Sequence, residues 1–284
     1  MEELVLCDAW RVELDELSAL AVRPPRHDSP AQLVCVGDED FAIAVGEAQP
    51  PGTSQVQTLP LESGSSQWEG VAVDRDGQVL VLEEHAGKRE PSHVFVFDPG
   101  LGRPKPIALR VDGDAEWEKE WRDHKNARGE AIALLDDGRL LIAKQKDPIR
   151  LIEFGPADRR AATGDGPSFL PPEEPFVLPD EDPLDYRPLR SWGIREVDED
   201  GLDSINDLAV ANGVLHAVSR SSRVVVQLAI DRESFGIQRS WRVPAVVGSP
   251  EGLAIWGGVI VADDFEADGD GARPNVFRLL REPR

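Results

Sequence analysis

The sequence predicts an all-β fold: a five-bladed β-propeller of four-stranded antiparallel blades, with the N-terminal strand closing the last blade. Three observations predict it. A short motif recurs five times along the chain. Each copy runs through a turn into further short apolar stretches. Helical periodicity is almost absent, while 23 Pro and 25 Gly supply the punctuation that short strands need.

The motif is an oxygen-bearing residue, a small or acidic one, an aliphatic one, then Ala. Its copies are Glu69-Gly70-Val71-Ala72, Glu130-Ala131-Ile132-Ala133, Asn206-Asp207-Leu208-Ala209 and Glu251-Gly252-Leu253-Ala254, with a weaker one at Ser18-Ala19-Leu20-Ala21. Turns such as Asp74-Arg75-Asp76-Gly77 and Asp136-Asp137-Gly138 follow. Second strands are expected at 33–36, 78–82, 139–143, 214–218 and 259–262, and third strands at 41–45, 93–97, 150–154, 224–230 and 275–280. Fourth strands at 55–60, 105–111, 189–196 and 236–243 complete four units. The fifth unit has none of its own, and the run Leu4 to Leu14 supplies it. The blades are thus placed at 17–61, 68–112, 129–197, 205–244 and 250–281, with 4–14 as the closing strand of one domain spanning 1–284. A Pro- and acid-rich insertion is read at 155–188, as a surface excursion, and a short helix at 115–125.

Composition narrows the partners. The 284 residues carry 31 Lys+Arg against 53 Asp+Glu, a net charge of −22. Nucleic acid and anionic membrane surfaces are therefore not expected, since both need a cationic face. No apolar run approaches the ~20 residues of a membrane span. The start, Met1-Glu2-Glu3-Leu4, has no basic n-region, and the expected compartment is the cytoplasm. Cys7 and Cys35 sit in apolar runs and are expected as buried free thiols.

In a propeller, the first strand of each blade lines the central channel. The motif therefore brings Ser18, Glu69, Glu130, Asn206 and Glu251 to one channel mouth. Carboxylates that close repel: at ~6 Å and an effective dielectric of ~20, each pair costs roughly 3 kcal/mol. Protonation, water, a nearby cationic side chain or a bound hard cation would each offset this. An all-oxygen set of Glu69, Glu130, Asn206 and Glu251 suits Ca²⁺ and disfavours zinc or copper. The corners after the second strands add Glu84, Lys144, Lys146, Arg220 and Asp263 near that mouth. Ser18 and Trp68, the latter directly before Glu69, are also placed there. His85, His124 and Glu130 are the candidate general bases. His93 and His216, which alternate within strands, read as packed or solvent-facing.

The segments Glu69–Glu84, Gly129–Phe154, Ile205–Leu228 and Glu251–Leu279 resemble the SdiA-regulated family of bacterial proteins. Two stretches carry most of the likeness. One is Glu130-Ala131-Ile132-Ala133 leading to Leu141-Ile142-Ala143-Lys144-Gln145-Lys146-Asp147-Pro148. The other is Asp207-Leu208-Ala209 leading to Ala217-Val218-Ser219-Arg220-Ser221-Ser222-Arg223. The resemblance implies a five-bladed propeller with a calcium site and no established reaction, distantly similar to NHL-repeat, phytase-like and gluconolactonase-like propellers. It implies that the blade-start oxygens are calcium ligands. Asn206 and Ser18-Ala19 depart from that family's pattern.

Three functions compete. The first is a calcium-binding propeller that takes a small ligand or a protein at its mouth. The second is a Ca²⁺-dependent hydrolase of a lactone, ester or phosphoester. The third is a metal-free interaction scaffold that docks through its acidic face or the insertion.

Overall fold

A computed structural model describes residues 1–14, 16–25, 29–39, 41–48, 54–58, 66–84, 91–111, 118–119, 121, 128–159, 161, 164–180, 183–199, 201–264 and 273–281. Nearly all regular structure in them is β. The strands are β1 (Glu2–Trp10), β2 (Leu17–Arg23), β3 (Gln32–Gly37), β4 (Ala42–Glu47), β5 (Ser54–Thr58), β6 (Trp68–Val73), β7 (Val79–Glu83), β8 (Ser92–Phe97), β9 (Lys105–Leu109) and β10 (Gly129–Leu134). They continue with β11 (Leu140–Lys144), β12 (Arg150–Pro156), β13 (Leu184–Ile194), β14 (Asp207–Ala211), β15 (Val214–Ser219), β16 (Val224–Ile230), β17 (Ser234–Arg242), β18 (Pro250–Ile255), β19 (Val259–Asp263) and β20 (Val276–Arg281). A single helical turn, α1 (Glu196–Glu199), follows β13. Most of the helix expected at 115–125 lies outside the described residues; 118, 119 and 121 have helical backbone. No helix among the described residues is long and apolar enough to cross a membrane.

The strands pair in sequence order into four-stranded antiparallel ladders: β2 to β5, β6 to β9, β10 to β13 and β14 to β17. The last ladder is β18, β19, β20 and then β1, which joins the two ends of the chain. These are numbered one to five below. Four of the ladders are fused into one 16-stranded sheet. The outer strands cause this. β9 and β13, β13 and β17, and β17 and β1 run side by side in parallel and pair for two or three residues each. Ladder one stays a separate four-stranded sheet.

The first strands form a closed ring. β2 packs on β6, β6 on β10, β10 on β14, β14 on β18, and β18 back on β2. The core follows the period of two that sends successive side chains to opposite faces. In ladder three, Ile132, Ile142 and Ile152 pack toward ladder two, while Ala131, Ala133, Leu141, Ala143 and Leu151 pack toward ladder four. Similar clusters fill the spaces between ladders one and two, four and five, and five and one. Trp192 and Trp241 on fourth strands, and Trp10 on β1, are buried in these interfaces, as expected of large residues between stacked sheets.

Ring closure explains the Gly or Ala that follows the first position in four of the five motifs. A Cβ on Gly70 would lie 3.2 Å from the Ala131 Cα, and one on Gly252 would lie 2.8 Å from the Leu20 Cγ and 2.9 Å from the Ala262 Cβ. Neighbouring inner strands come too close there for a larger side chain.

The insertion is packed against the fold rather than a free excursion, and β12 and β13 narrow it to 157–183. The Phe176 N–H donates to Asp74 Oδ2 (2.9 Å), and Gln78 Nε2 donates to the Phe176 carbonyl (3.0 Å). The Leu170 N–H donates to the Leu134 carbonyl, and the Asp136 N–H to that of Ser168. Phe176 is buried in the core between ladders two and three. The insertion thus crosses the hairpin ends of β6–β7 and β10–β11, away from the end where the motif begins. Cys35 is buried and free as expected, whereas free Cys7 is exposed, because β1 is the outermost strand of its ladder.

Candidate functional site

The motif's first residues owe their direction to β-bulges. The pairing of the first strand with the second slips between Leu17 and Ala19, Trp68 and Gly70, Gly129 and Ala131, and Pro250 and Leu253. The residues passed over are Ser18, Glu69, Glu130 and Glu251 with Gly252. A bulge leaves a residue outside the ladder and re-aims its side chain. In β14 the paired register begins at Asp207, opposite Val218, whose carbonyl also accepts the Asn206 N–H (2.9 Å), so Asn206 too lies outside the ladder.

The three glutamates act on one another. Glu69 is held well above the usual carboxylate range by burial and by the charges of Asp38, Glu84, Glu251 and Asp264. Glu130 is raised likewise, by burial and by Glu69, Glu84 and Glu251, while Lys146 pulls it down. Glu251 is pushed up to about 7 by burial and Asp264, against the opposing pull of Arg220. Glu16 also rises to about 7, through burial and its contact with Asp38. One oxygen from each of Glu16, Asp38 and Glu39 can lie within 4.8 Å of the others.

The partners differ sharply around this mouth. Among the described residues, nothing hydrogen-bonds the carboxyl groups of Glu69 or Glu130, although Glu130 is only 7% exposed. Glu251 pairs with Arg220, which also meets Asp264 Oδ2 at 3.0 Å. Glu84, 4% exposed, accepts the Arg128 N–H through Oε1 at 3.0 Å.

Other expected residues have different work. The Asn206 Oδ1 accepts both the Ser204 hydroxyl (2.8 Å) and the Arg220 N–H (3.0 Å), so its amide oxygen braces the next corner. Lys144 is buried, and its ammonium holds the carbonyls of Lys146, Asp147 (3.0 Å) and Pro148 (3.4 Å). Lys146 and Arg220 are the cations that act on the glutamates. Asp263 is buried, receiving the Ser249 N–H and the Arg273 guanidinium (2.9 Å) inside its own corner. Trp68 does not line the mouth. It is fully buried, edge-on to Phe41 at 5.5 Å and Phe97 at 6.0 Å, because its side chain falls on the interface between ladders one and two. Ser18 is buried, its hydroxyl 3.4 Å from the Glu16 carbonyl. His85 and His124 lie outside the described residues. His93 sits 3.2 Å from Glu83, and buried His216 has its pKa lowered by burial.

Sequence reasoning missed Asp207, the second residue of the fourth motif. It is fully buried at the ring's inner edge. Its Oδ2 accepts the N–H groups of Leu20 on β2 (3.1 Å) and Leu253 on β18 (2.7 Å), and its Oδ1 accepts that of Leu208 (2.7 Å). An Asp where other copies carry Gly or Ala was the available signal. Glu16 was missed as well, and its signal was weaker, an acid just before the first motif.

No family model matches the chain, and no curated protein does. Solved structures do match. The PQQ-bound aldose sugar dehydrogenase of Streptomyces coelicolor aligns with a TM-score of 0.51 at 13% identity, over 99% of this chain and 98% of that one. Glutaminyl cyclase of Myxococcus xanthus aligns at 0.49 and 12%, over 99% of each chain. A putative gluconolactonase aligns at 0.46 and 12%, over 98% of this chain and 87% of that one. Such identities speak for the fold alone, and not for the SdiA-regulated family in particular. By its strands and by this likeness, the chain is a β-propeller.

Proposed function

We propose that the five ladders are the five blades of one closed propeller, and that its carboxylate mouth holds a hard divalent cation, Ca²⁺ foremost, in the service of hydrolysing a small ester, lactone or phosphoester. The observation that carries the reading is Glu130, buried with no hydrogen bond to its carboxyl group among the described residues, beside the half-buried Glu69, which has none either. A buried carboxylate normally has partners, and an uncompensated one is costly. The donors are all carboxylate oxygens, which suits Ca²⁺ or Mg²⁺ and not a thiophilic metal. Glu69, Glu130 and Glu251 would hold the ion, and Glu84 and Asp38 add negative charge around them. Asn206, a ligand by sequence, becomes a brace in this reading.

When bound, the ion supplies a Lewis acid for a carbonyl or phosphoryl oxygen. The chain's own groups do the rest. Arg220 and Lys146 offer donors to a substrate oxygen. Glu16, which is not among the ligands and whose carboxyl rises to about 7, is matched to taking and returning a proton near neutral pH. A sugar lactone sets one polarisable carbonyl beside hydroxyl oxygens that such donors can hold, so lactones head the substrate panel.

Titration of Ca²⁺ into metal-stripped protein tests the cation. Wild type should bind, and Glu130→Gln should weaken binding at least tenfold; no heat in wild type overturns the reading. A panel of lactones, aryl esters and phosphoesters, with Ca²⁺ or EDTA, tests the hydrolysis. One observation favours a metal-free scaffold: raised pKa values let protons quiet the cluster instead. Absence of both binding and turnover would favour it.

A further inference from the structure

The mouth is bipolar. Ladders five, one and two bring acids to it: Asp264, Glu16, Asp38, Glu39 and Glu84. Ladders three and four bring Lys146 and Arg220. Other bases nearby are committed. Lys144 holds three carbonyls, and Arg223 holds those of Pro244, Val247 and Gly248.

Arg220 stands on a braced corner. Its own N–H is fixed by Asn206 Oδ1 at 3.0 Å. Beneath it, the Ser204 hydroxyl meets that same oxygen at 2.8 Å, Ser219 Oγ at 3.1 Å and Ser221 Oγ at 3.0 Å. Ser204, Asn206 and Ser219 are buried, yet the Arg220 side chain is 48% exposed. A rigid base with an open guanidinium is the build of a recognition residue rather than of a core ion pair.

Glu251 has one negative charge, and two positive charges compete for it. Arg220 holds it in the metal-free protein. A divalent ion shared by Glu69, Glu130 and Glu251 would oppose the guanidinium across the same carboxylate. Loading the site therefore weakens the Arg220–Glu251 pair; Nη1 keeps its 3.0 Å contact with Asp264 Oδ2, and Nη2 and Nε form the fork that matches a carboxylate two bonds at a time.

We propose that Arg220 selects ligands bearing a single carboxylate beside hydroxyl oxygens, the small hydroxy acids that hydrolysis of a lactone or ester releases, and that cation binding switches it from Glu251 to that carboxylate. The inference rests on the cation reading above. A single negative charge suits this mouth, because a dianionic phosphate would add a second charge opposite Asp38, Glu39 and Asp264. Neutral polyols offer the fork nothing to grip.

The probe is D-gluconate, with sorbitol as its neutral match, titrated calorimetrically into wild type and Arg220→Gln with and without Ca²⁺. Gluconate should bind wild type only with Ca²⁺ present, and sorbitol at least tenfold more weakly. Arg220→Gln should bind Ca²⁺ several-fold more tightly, because the competitor for Glu251 is gone, and gluconate at least tenfold more weakly. Arg220→Lys keeps the charge without the fork and should fall between them. Tighter Ca²⁺ binding in Arg220→Gln also shows that the variant is folded. Equal gluconate affinity in wild type and Arg220→Gln, or equal affinity for sorbitol and gluconate in wild type, overturns the proposal. Weaker Ca²⁺ binding in Arg220→Gln also overturns it. Failure of wild type to bind Ca²⁺ at all overturns the cation reading instead.

Discussion

Replacing Asp207 with Ala should loosen the ring at its axis. Inner strands have one edge that no further strand covers, so their N–H groups need other acceptors. Asp207 serves two of them on different ladders, Leu20 at 3.1 Å and Leu253 at 2.7 Å, from a third ladder. Leaving a buried donor without a partner costs about 1–3 kcal/mol, so the pair costs about 2–6 kcal/mol. Part of this is offset, because burial itself raises the carboxyl's pKa and its removal relieves that penalty. The expected loss is therefore about 2–4 kcal/mol. With a urea slope near ~3 kcal/mol/M for a chain of this size, the midpoint should fall by about 0.7–1.3 M. Asp207→Asn keeps one acceptor oxygen and should lose about half as much. Amide exchange should quicken at Leu20 and Leu253 and stay unchanged at Val226, in the middle of a ladder. An Asp207→Ala midpoint within about 0.2 M of wild type would refute the reasoning, as would uniform quickening of exchange.

Other outcomes follow from the same geometry. Gly252→Ala should destabilise by about 1–3 kcal/mol, since its Cβ would lie 2.8 Å from Leu20 and 2.9 Å from Ala262, and a thermal melt checks it. Glu251 and Glu16 titrate at about 7 when folded, against the ordinary 4.5 of a glutamate in the unfolded chain. The folded metal-free chain therefore binds more protons in that window, and its stability should fall as pH rises from about 4.5 to about 7. Glu251 alone accounts for roughly 3 kcal/mol of this. Urea midpoints in EDTA at pH 5 and pH 7.5 test it; a midpoint no lower at pH 7.5 contradicts it. Asn206→Ala should leave Ca²⁺ affinity within about twofold, because its amide oxygen already takes two hydrogen bonds; a tenfold loss would return it to the ligand set.

The strand order was legible because the motif and its turns repeat, and a period of two survives small errors of boundary. The third strand at 224–230 falls where it was expected, and the others shift by a residue or two, β1 and β13 excepted. The fusion of four ladders was not legible. It depends on where the outer strands meet, as at Gly193–Ser234, and no local pattern records such a contact. The placement of the insertion was hidden for a related reason: its composition favours disorder, but Phe176 gives it a share of the core. Trp68 was misread because a neighbour in sequence on a strand points to the opposite face. At the mouth, the three glutamates were readable from the repeat. Which cations answer them was not, since Lys144, Lys146 and Arg220 look alike in their corners and only packing separates a loop clamp from a mouth charge.

The fourth motif shows why the departures in a repeat carry more information than its matches. In the other copies the oxygen-bearing residue sits on a bulge, and Gly or Ala follows so that the inner strands can close. In the fourth copy an amide holds the place outside the ladder and the acid stands one position later, at the first paired residue. That single displacement moves a carboxylate from the mouth to the axis. There it meets the edges of β2 and β18. Asn206, left at the first position, cannot repel its neighbours and is free to brace the Arg220 corner. A ring of identical copies would set a further carboxylate at the mouth and leave the axial N–H groups unmet. One shifted acid instead removes a charge from the cluster, supplies acceptors for the axis, and fixes the cation that faces Glu251. Exchanging the two residues, Asn206→Asp with Asp207→Gly, should therefore raise the pH dependence of the metal-free protein and lower its stability together. A double variant as stable as wild type at pH 7.5 would show that the displacement has no such role.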